Sequence, residues 1–228
     1  MESVCVISID GPAGSGKSTV GRRLAARLGA RYLDSGAIYR AATWKVVDAG
    51  ASFEHVDGVA ELLDGTEIEL VDSGETLAVL VDGRDVSREI RTPEVTARVH
   101  YVASEPKLRA IVRKLQRAYA ADALLVAEGR DMGSVVFPDA EVKFYLDAAP
   151  RARADRRLAD LAAAGHEATH EEVLRDIEER DRRDSTRTAD PLVRPTGAVV
   201  IDSTHMTVEE VVEEMVRHAA RLGVEARK

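Results

Sequence analysis

The 228-residue chain has no asparagine, one cysteine and no long apolar run, and each shortage removes a class of explanation. Without asparagine, the Asn-Lys-x-Asp signature by which the common GTPases read guanine is absent. Cys5 by itself can form neither a disulfide nor a cysteine-based metal cluster within one chain, which fits a reducing compartment. No stretch approaches the roughly 20 apolar residues of a membrane-spanning helix. The first residues lead into a strand-like segment rather than a charged and then apolar leader, so a cytoplasmic protein is expected. Repeats, low-complexity tracts and obvious interdomain linkers are missing too. Acidic residues outnumber basic ones, 40 to 32, for a formal net charge of −8. That balance argues against general nucleic-acid binding, which calls for a basic patch. The bases themselves are unevenly chosen, arginine far outnumbering lysine. A planar guanidinium holds phosphate or carboxylate through two hydrogen bonds, so some of this arginine suits an anionic substrate, while most of it reads as solvated helix surface.

What the chain does contain starts at Gly11-Pro12-Ala13-Gly14-Ser15-Gly16-Lys17-Ser18, a match to the phosphate-cradling pattern G-x-x-x-x-G-K-[ST]. Val4 to Asp10 before it is a β-branched run that predicts a buried strand. Val20, Leu24, Ala25 and Leu28 after it recur at helical spacing, with Gly29 as the stop. Strand, glycine loop and helix therefore come in the required order. The loop from Gly11 through Thr19 turns its backbone N–H groups, which every residue but Pro12 has, toward a phosphate chain at a helix N-terminus, Lys17 lies beside it, and the Ser18 hydroxyl is set for Mg²⁺.

The rest of the chain alternates strands and helices, which predicts one α/β domain with a parallel sheet flanked by helices. Arg31–Asp34 reads as a short strand closing on a Ser35-Gly36 cap, Ala37–Ala49 as a helix stopped by Gly50, and Val56–Leu63 as a short helix. Thr66–Val71 then alternates polar and apolar residues, Asp72–Glu75 is turn-like, Leu77–Val81 is a second strand, and Asp82-Gly83 turns the chain so that Arg84–Val86 can pair back. This is a small antiparallel sheet inserted in the βα pattern. Two helices follow Thr92-Pro93, divided near Ser104–Pro106; the second carries Leu108, Ile111, Val112, Leu115 and Ala118 on one stripe and Arg109, Arg113 and Arg117 on another face. Ala123–Ala127 is an apolar strand leading into Glu128-Gly129-Arg130-Asp131, and Val142–Asp147 is another. Pro150 to about Ala189 is helical and charged, interrupted at Gly165-His166. Ala198–Asp202 is the last strand, and Thr207 with Glu210 forms a capping box for the closing helix.

A phosphate loop alone does not separate a motor or transporter ATPase from a kinase. Asp147 and Asp202 end apolar strands, yet neither is followed by the second acid that motor and transporter ATPases usually carry, so both are read as loop or cap residues. The remaining large class moves a γ-phosphoryl group from ATP to a small acceptor, a reaction that needs positioned cations and exclusion of water. Arg180, Asp184 and Arg187 at i, i+4 and i+7 share a narrow arc of one helix, with Asp181 and Arg183 pointing elsewhere; on spacing alone a solvated salt-bridged face is the stronger reading. Arg130 and Asp131 at a strand end, and Ser35 and Arg40 at a helix start, occupy the edge where open α/β sheets take ligands.

Leu33-Asp34-Ser35-Gly36-Ala37-Ile38-Tyr39-Arg40, Ile90-Arg91-Thr92, Glu128-Gly129-Arg130-Asp131-Met132-Gly133 and Glu179-Arg180-Asp181-x-Arg183-Asp184, all behind this phosphate loop, resemble the bacterial cytidylate kinases. The resemblance runs in order from about Val4 to the final helix. It implies a core at 1–35, 122–150 and 190–228, a monophosphate-binding region at 36–121 with its β insert at about 64–91, and a mobile helical lid at about 151–189. By that resemblance Arg40, Arg130 and Arg180 grip the acceptor phosphate, and Ser35, Arg109 and Asp131 address the sugar and cytosine. Asp184 and Arg187 complete the site on closure, and Lys17, Arg130, Arg180 and Arg187 carry the catalysis. The substrates implied are CMP or dCMP and ATP, with Mg²⁺, in a monomer that binds neither nucleic acid nor membrane. One departure is His100, standing where the resemblance calls for a small serine in the base pocket. Another small-molecule kinase, for a different monophosphate or for shikimate, and a nucleotide-binding regulator without catalysis remain as alternatives at this point.

Overall fold

The computed structural model describes residues 5–72, 77–120, 124–163 and 165–224. Its centre is β1 (Val6–Asp10), buried along its whole length, as the continuous β-branched run requires of a strand covered on both faces. A five-stranded parallel sheet is built around it in the order β2-β6-β1-β7-β8. The remaining strands are β2 (Arg31–Asp34), β6 (Leu125–Gly129), β7 (Val142–Asp147) and β8 (Val199–Asp202). Register pairs Asp10 with Gly129 on one side and with Tyr145 on the other, so the chain leaves β1, β6 and β7 at one common edge. Among the described residues no helix is long and apolar enough to cross a membrane.

Helix α1 (Lys17–Leu28) follows the glycine loop and buries Val20, Leu24, Ala25 and Leu28 against the sheet; Gly29 ends it in the left-handed conformation at φ 63°. α8 (Val208–Arg221) packs beside α1 and inserts Val211, Val212, Met215 and Ala219. Its N-terminus carries the expected capping box between Thr207 and Glu210. The helix after β2 differs from expectation at its start. α2 (Ser35–Asp48) begins at Ser35, and its cap is Asp34, whose carboxylate accepts the Ala37 N–H at 2.9 Å. Carboxylates satisfy the first-turn N–H groups as serine does and add a favourable charge at the positive end of the helix.

α3 (Val56–Asp64) leads to the antiparallel sheet β3 (Ile68–Asp72), β4 (Leu77–Val81) and β5 (Arg84–Asp85). The turn expected over Asp72–Glu75 falls at residues 73–75 outside the described residues, as do Val4 and Ala123. The Asp82-Gly83 turn is present with both residues at positive φ, 50° and 77°. α4 (Pro93–Ser104) and α5 (Pro106–Ala118) each place a proline in the first turn. β6 ends two residues later than its apolar run suggests, because Glu128 and Gly129 continue the ladder with β1. A single π-helical turn, Met132–Val136, then follows that no sequence signal announced. It is anchored at one end by the Asp10 carboxylate, which accepts the N–H groups of Met132 (2.7 Å) and Gly133 (2.8 Å). At the other end Arg117 donates to the carbonyls of Val135 and Val136.

α6 (Pro150–Ala163) and α7 (His170–Thr186) form a helical hairpin with a small apolar cluster of its own, Ala154, Val173 and Ile177. A capping box of Thr169 and Glu172 starts α7. The charge crowding read from the sequence is real, since both helices bury only a narrow stripe.

Candidate active site

The glycine loop turns back over the C-terminal edge of the sheet. Gly11 (φ 153°) must be glycine: a Cβ there would lie 2.1 Å from the Leu146 carbonyl oxygen of β7. Gly14, Ser18 and Thr19 are exposed, while Pro12, Ala13 and Ser15 are buried. Lys17 is buried, and its ammonium donates back to the Pro12 carbonyl at 2.7 Å and to Ser15 Oγ at 3.3 Å. Burial, with the positive field of Arg130 and Arg180, lowers the Lys17 pKa. Cations crowded around a buried ammonium are the electrostatic signature of a site built for polyanions.

Ser18 Oγ donates to Glu128 Oε1 at 2.6 Å, and Tyr32 O–H approaches the same oxygen at 3.4 Å. Glu128 is buried at the end of β6, and desolvation together with the Asp34 charge raises its pKa. In the sequence Glu128 belongs to the Glu128-Gly129-Arg130-Asp131 motif with no role of its own. Its signal was an acid inside an otherwise apolar strand end. The hydroxyl and carboxylate form an oxygen-donor pair of the kind a hard divalent cation takes, with water and phosphate oxygens for the rest. Among the described residues no cluster of three or more His, Cys, Asp or Glu side chains offers an all-protein cage. Asp147 and Asp202 hold their own loops instead, accepting the N–H groups of Ala148 and Thr204.

The arginines approach from three segments. Arg130, just beyond β6, donates through Nε to Asp184 Oδ2 at 2.9 Å, and Arg180 Nε lies 4.0 Å from that oxygen. Arg180 and Asp184 on α7 therefore face the strand edge, with Arg180 still half exposed, while Arg187 is not on the helix as its spacing had suggested: α7 stops at Thr186, and Arg187 caps it in extended backbone within the field of Asp184. Asp181 does not point away from the site, as spacing on the helix had suggested. Its Oδ1 accepts the Ala13 N–H of the glycine loop at 3.0 Å. The preceding helix α6 brings Arg153 alongside, and that pairing explains the orientation. Arg187 Nε donates to the Asp190 carbonyl at 2.7 Å, whereas its Nη2 is buried with no hydrogen-bond partner. A buried guanidinium nitrogen left unpaired is costly unless an anion meets it. Arg40, on the first turns of α2, donates to Thr96 Oγ1 at 2.7 Å.

The Arg109 side chain is among the largest buried in the molecule. Its Nη2 donates to Asp131 Oδ2 at 2.6 Å, its Nε to Asp190 Oδ2 at 2.8 Å and its Nη1 to the Ala103 carbonyl at 2.8 Å, and the guanidinium lies over the Tyr39 ring. Desolvation pushes the Asp131 pKa up against the pull of Arg109. Asp190 holds a left-handed backbone (φ 48°) to reach this pair, a strained geometry for a non-glycine residue that sequence gave no means of seeing. Ser35 is buried and accepts from Gln116 Nε2 at 2.9 Å. His100 is exposed; its Nδ1 lies 2.8 Å from the Ala97 carbonyl and its ring leans on Tyr101, so no described contact joins it to Arg109 or Asp131.

A family model described as "Cytidylate kinase" matches residues 7–221. The chain is 43% identical over 215 residues to the cytidylate kinase of Carboxydothermus hydrogenoformans, covering 94% of this chain and 97% of that one. It is 47% identical over 214 residues to a bifunctional pantoate ligase/cytidylate kinase of Synechocystis, covering 92% of this chain and 42% of that longer protein. Among solved structures, a Thermus thermophilus protein shares the fold at a TM-score of 0.52 and 21% identity, over 96% of this chain and 98% of that one. A match across nearly the whole chain, together with a phosphate loop and three arginine-bearing segments at one sheet edge, places the chain in the cytidylate kinase family, enzymes that phosphorylate CMP or dCMP with ATP.

Proposed function

We propose that the chain divides this reaction between a donor half, the glycine loop from Gly11 to Thr19, and an acceptor half made by Arg40, Arg130, Arg180 and Arg187. The observation that carries the proposal is the Asp184 carboxylate held between Arg130 and Arg180, two guanidiniums that are themselves within electrostatic reach of the buried Lys17. Cations gathered this closely, with a buried ammonium beside them, are stabilised when phosphate groups enter.

A monophosphate oxygen of CMP attacks the γ-phosphorus of ATP in line. The new P–O bond forms as the bond to the β-phosphate oxygen breaks, giving CDP and ADP. The second phosphate pKa is about 6, so the attacking oxygen is ionised at neutral pH and needs no general base. Lys17 and the arginines stabilise charge on the transferring group, and water is kept out. Mg²⁺, when bound, screens the phosphate oxygens, and Ser18 with Glu128 are the residues to hold it. Arg109 and Asp131 offer a donor and an acceptor to the cytosine edge, with Ser35 on the sugar side. On this reading 36–121 is the monophosphate-binding region, 151–189 the lid, and the rest the core. The same reading has the enzyme work as a monomer in the cytoplasm, the latter supported by a single cysteine that can form no disulfide within the chain.

The test is an acceptor panel of CMP, dCMP, UMP and AMP with ATP. Turnover fastest with CMP and dCMP is expected. AMP turned over as fast as CMP would overturn the assignment of Arg109 and Asp131 to the base.

A further inference from the structure

The α6–α7 hairpin does not merely hang over the glycine loop; it grips one residue of it, Ala13, by the peptide units on either side. Arg153 Nη1 donates to the Ala13 carbonyl at 2.9 Å, and Asp181 Oδ1 accepts the Ala13 N–H at 3.0 Å. The two side chains are ion-paired to each other through Asp181 Oδ2, and Arg153 Nε also donates to the Ala148 carbonyl at 2.9 Å. Arg153 is 6% exposed, so this pair is well shielded and its hydrogen bonds are strong ones. The approach is close as well. A Cβ on Gly14 would lie 3.2 Å from both the Cβ and the carbonyl oxygen of Arg153. Neither residue is part of the phosphate cradle or of the arginine cluster.

We infer that Arg153 and Asp181 are positioning residues for the donor phosphates, setting the conformation of the glycine loop from the lid side. The N–H groups that follow Ala13 cradle phosphate only if the peptides before them are held at a fixed angle. A loop with glycine at 11, 14 and 16 has little stiffness of its own. The pair supplies that stiffness from outside and ties it to the docking of α7. Because Arg130 and Asp184 fasten α7 to the loop after β6 independently, loss of Asp181 should disturb the donor half while leaving the acceptor half in place. The inference rests on the reading of the glycine loop as the ATP site.

The experiment compares Asp181→Ala, Asp181→Asn, Arg153→Met and the Arg153→Met/Asp181→Ala double variant in steady-state kinetics, with ATP binding measured alone by calorimetry. Each alanine or methionine variant should weaken ATP binding and raise the KM for ATP about tenfold, the loss of one charge-assisted contact, with the KM for CMP within about twofold of wild type. The double variant should be no worse than about threefold beyond the poorer single, because the two side chains act as a unit. Asp181→Asn preserves shape and should keep the wild-type melting temperature while still weakening ATP by about threefold or more. ATP affinity unchanged in Asp181→Asn and Arg153→Met would overturn the inference. So would equal rises in both KM values, or additive losses in the double variant. A wild-type protein that bound ATP but turned over no monophosphate would sink the functional reading instead, and the calorimetry would still decide the role of the pair.

Discussion

Arg130 Nε and Asp184 Oδ2 stand 2.9 Å apart, and that contact joins the loop after β6 to the last turns of α7. Arg180 shares the same carboxylate oxygen from 4.0 Å, so Asp184 spaces two guanidiniums that would otherwise repel. Asp184→Asn should lower kcat for CMP by about ten- to a hundredfold, and Arg180→Ala by more, since each removes preorganised charge from the transition state. Steady-state rates at saturating ATP and CMP check both; unchanged turnover in Arg180→Ala would remove it from the catalytic set.

Lys17 is buried, and its charged form is disfavoured in the folded protein. Lys17→Met should therefore abolish phosphoryl transfer, with a loss of about a thousandfold or more, while leaving the melting temperature equal or higher. Retention of full activity would mean that the glycine loop is not the donor site.

Selectivity should lie with Asp131. Asp131→Asn leaves Arg109 paired with Asp190 and Ala103, so the fold survives, but the acceptor offered to the base loses its charge. The ratio of kcat/KM for CMP over UMP should fall about tenfold or more. An unchanged ratio would place base recognition elsewhere.

Asp10 makes a prediction about pH. Burial raises its carboxyl to about 6, although the Gly133 and Met132 N–H groups pull the other way. The folded state thus holds this proton more tightly than the unfolded chain. The resulting stability is full below the unfolded value and is lost as pH rises through about 6. Relative to Asp10→Asn, the wild type should lose up to about 3 kcal/mol of unfolding free energy between pH 4 and pH 7, measured in urea. The hydrogen-bond change in the variant is a constant offset that does not alter this slope.

Much of this was legible in sequence where the signal is local. The glycine loop, the Thr207–Glu210 capping box and the Asp82-Gly83 turn each depend on a few neighbouring residues, and each stands where the pattern put it. Arg130 and Asp131 were found by their place at a strand end. Spacing alone leaves Arg109 as one of three arginines on a helix face, and only the family resemblance joins it to Asp131; Asp190 is signalled by neither, because the tertiary fold alone brings positions 109, 131 and 190 together. Asp181 was misjudged for the same reason: helical spacing gives the direction of a side chain about its own axis, and says nothing of a partner such as Arg153 arriving from another helix. The π-helical turn after Arg130 depends on Asp10 and Arg117, again remote in sequence.

The small cluster of Ala154, Val173 and Ile177 has a consequence for tempo. Helices sharing so little buried apolar surface separate at a free energy far below that of unfolding the sheet, so the amides of α6 and α7 should trade hydrogen for deuterium well before those of β1 and β6. If the hairpin is the lid proposed above, its softness would let it open between turnovers, and product release would then set the pace of the cycle.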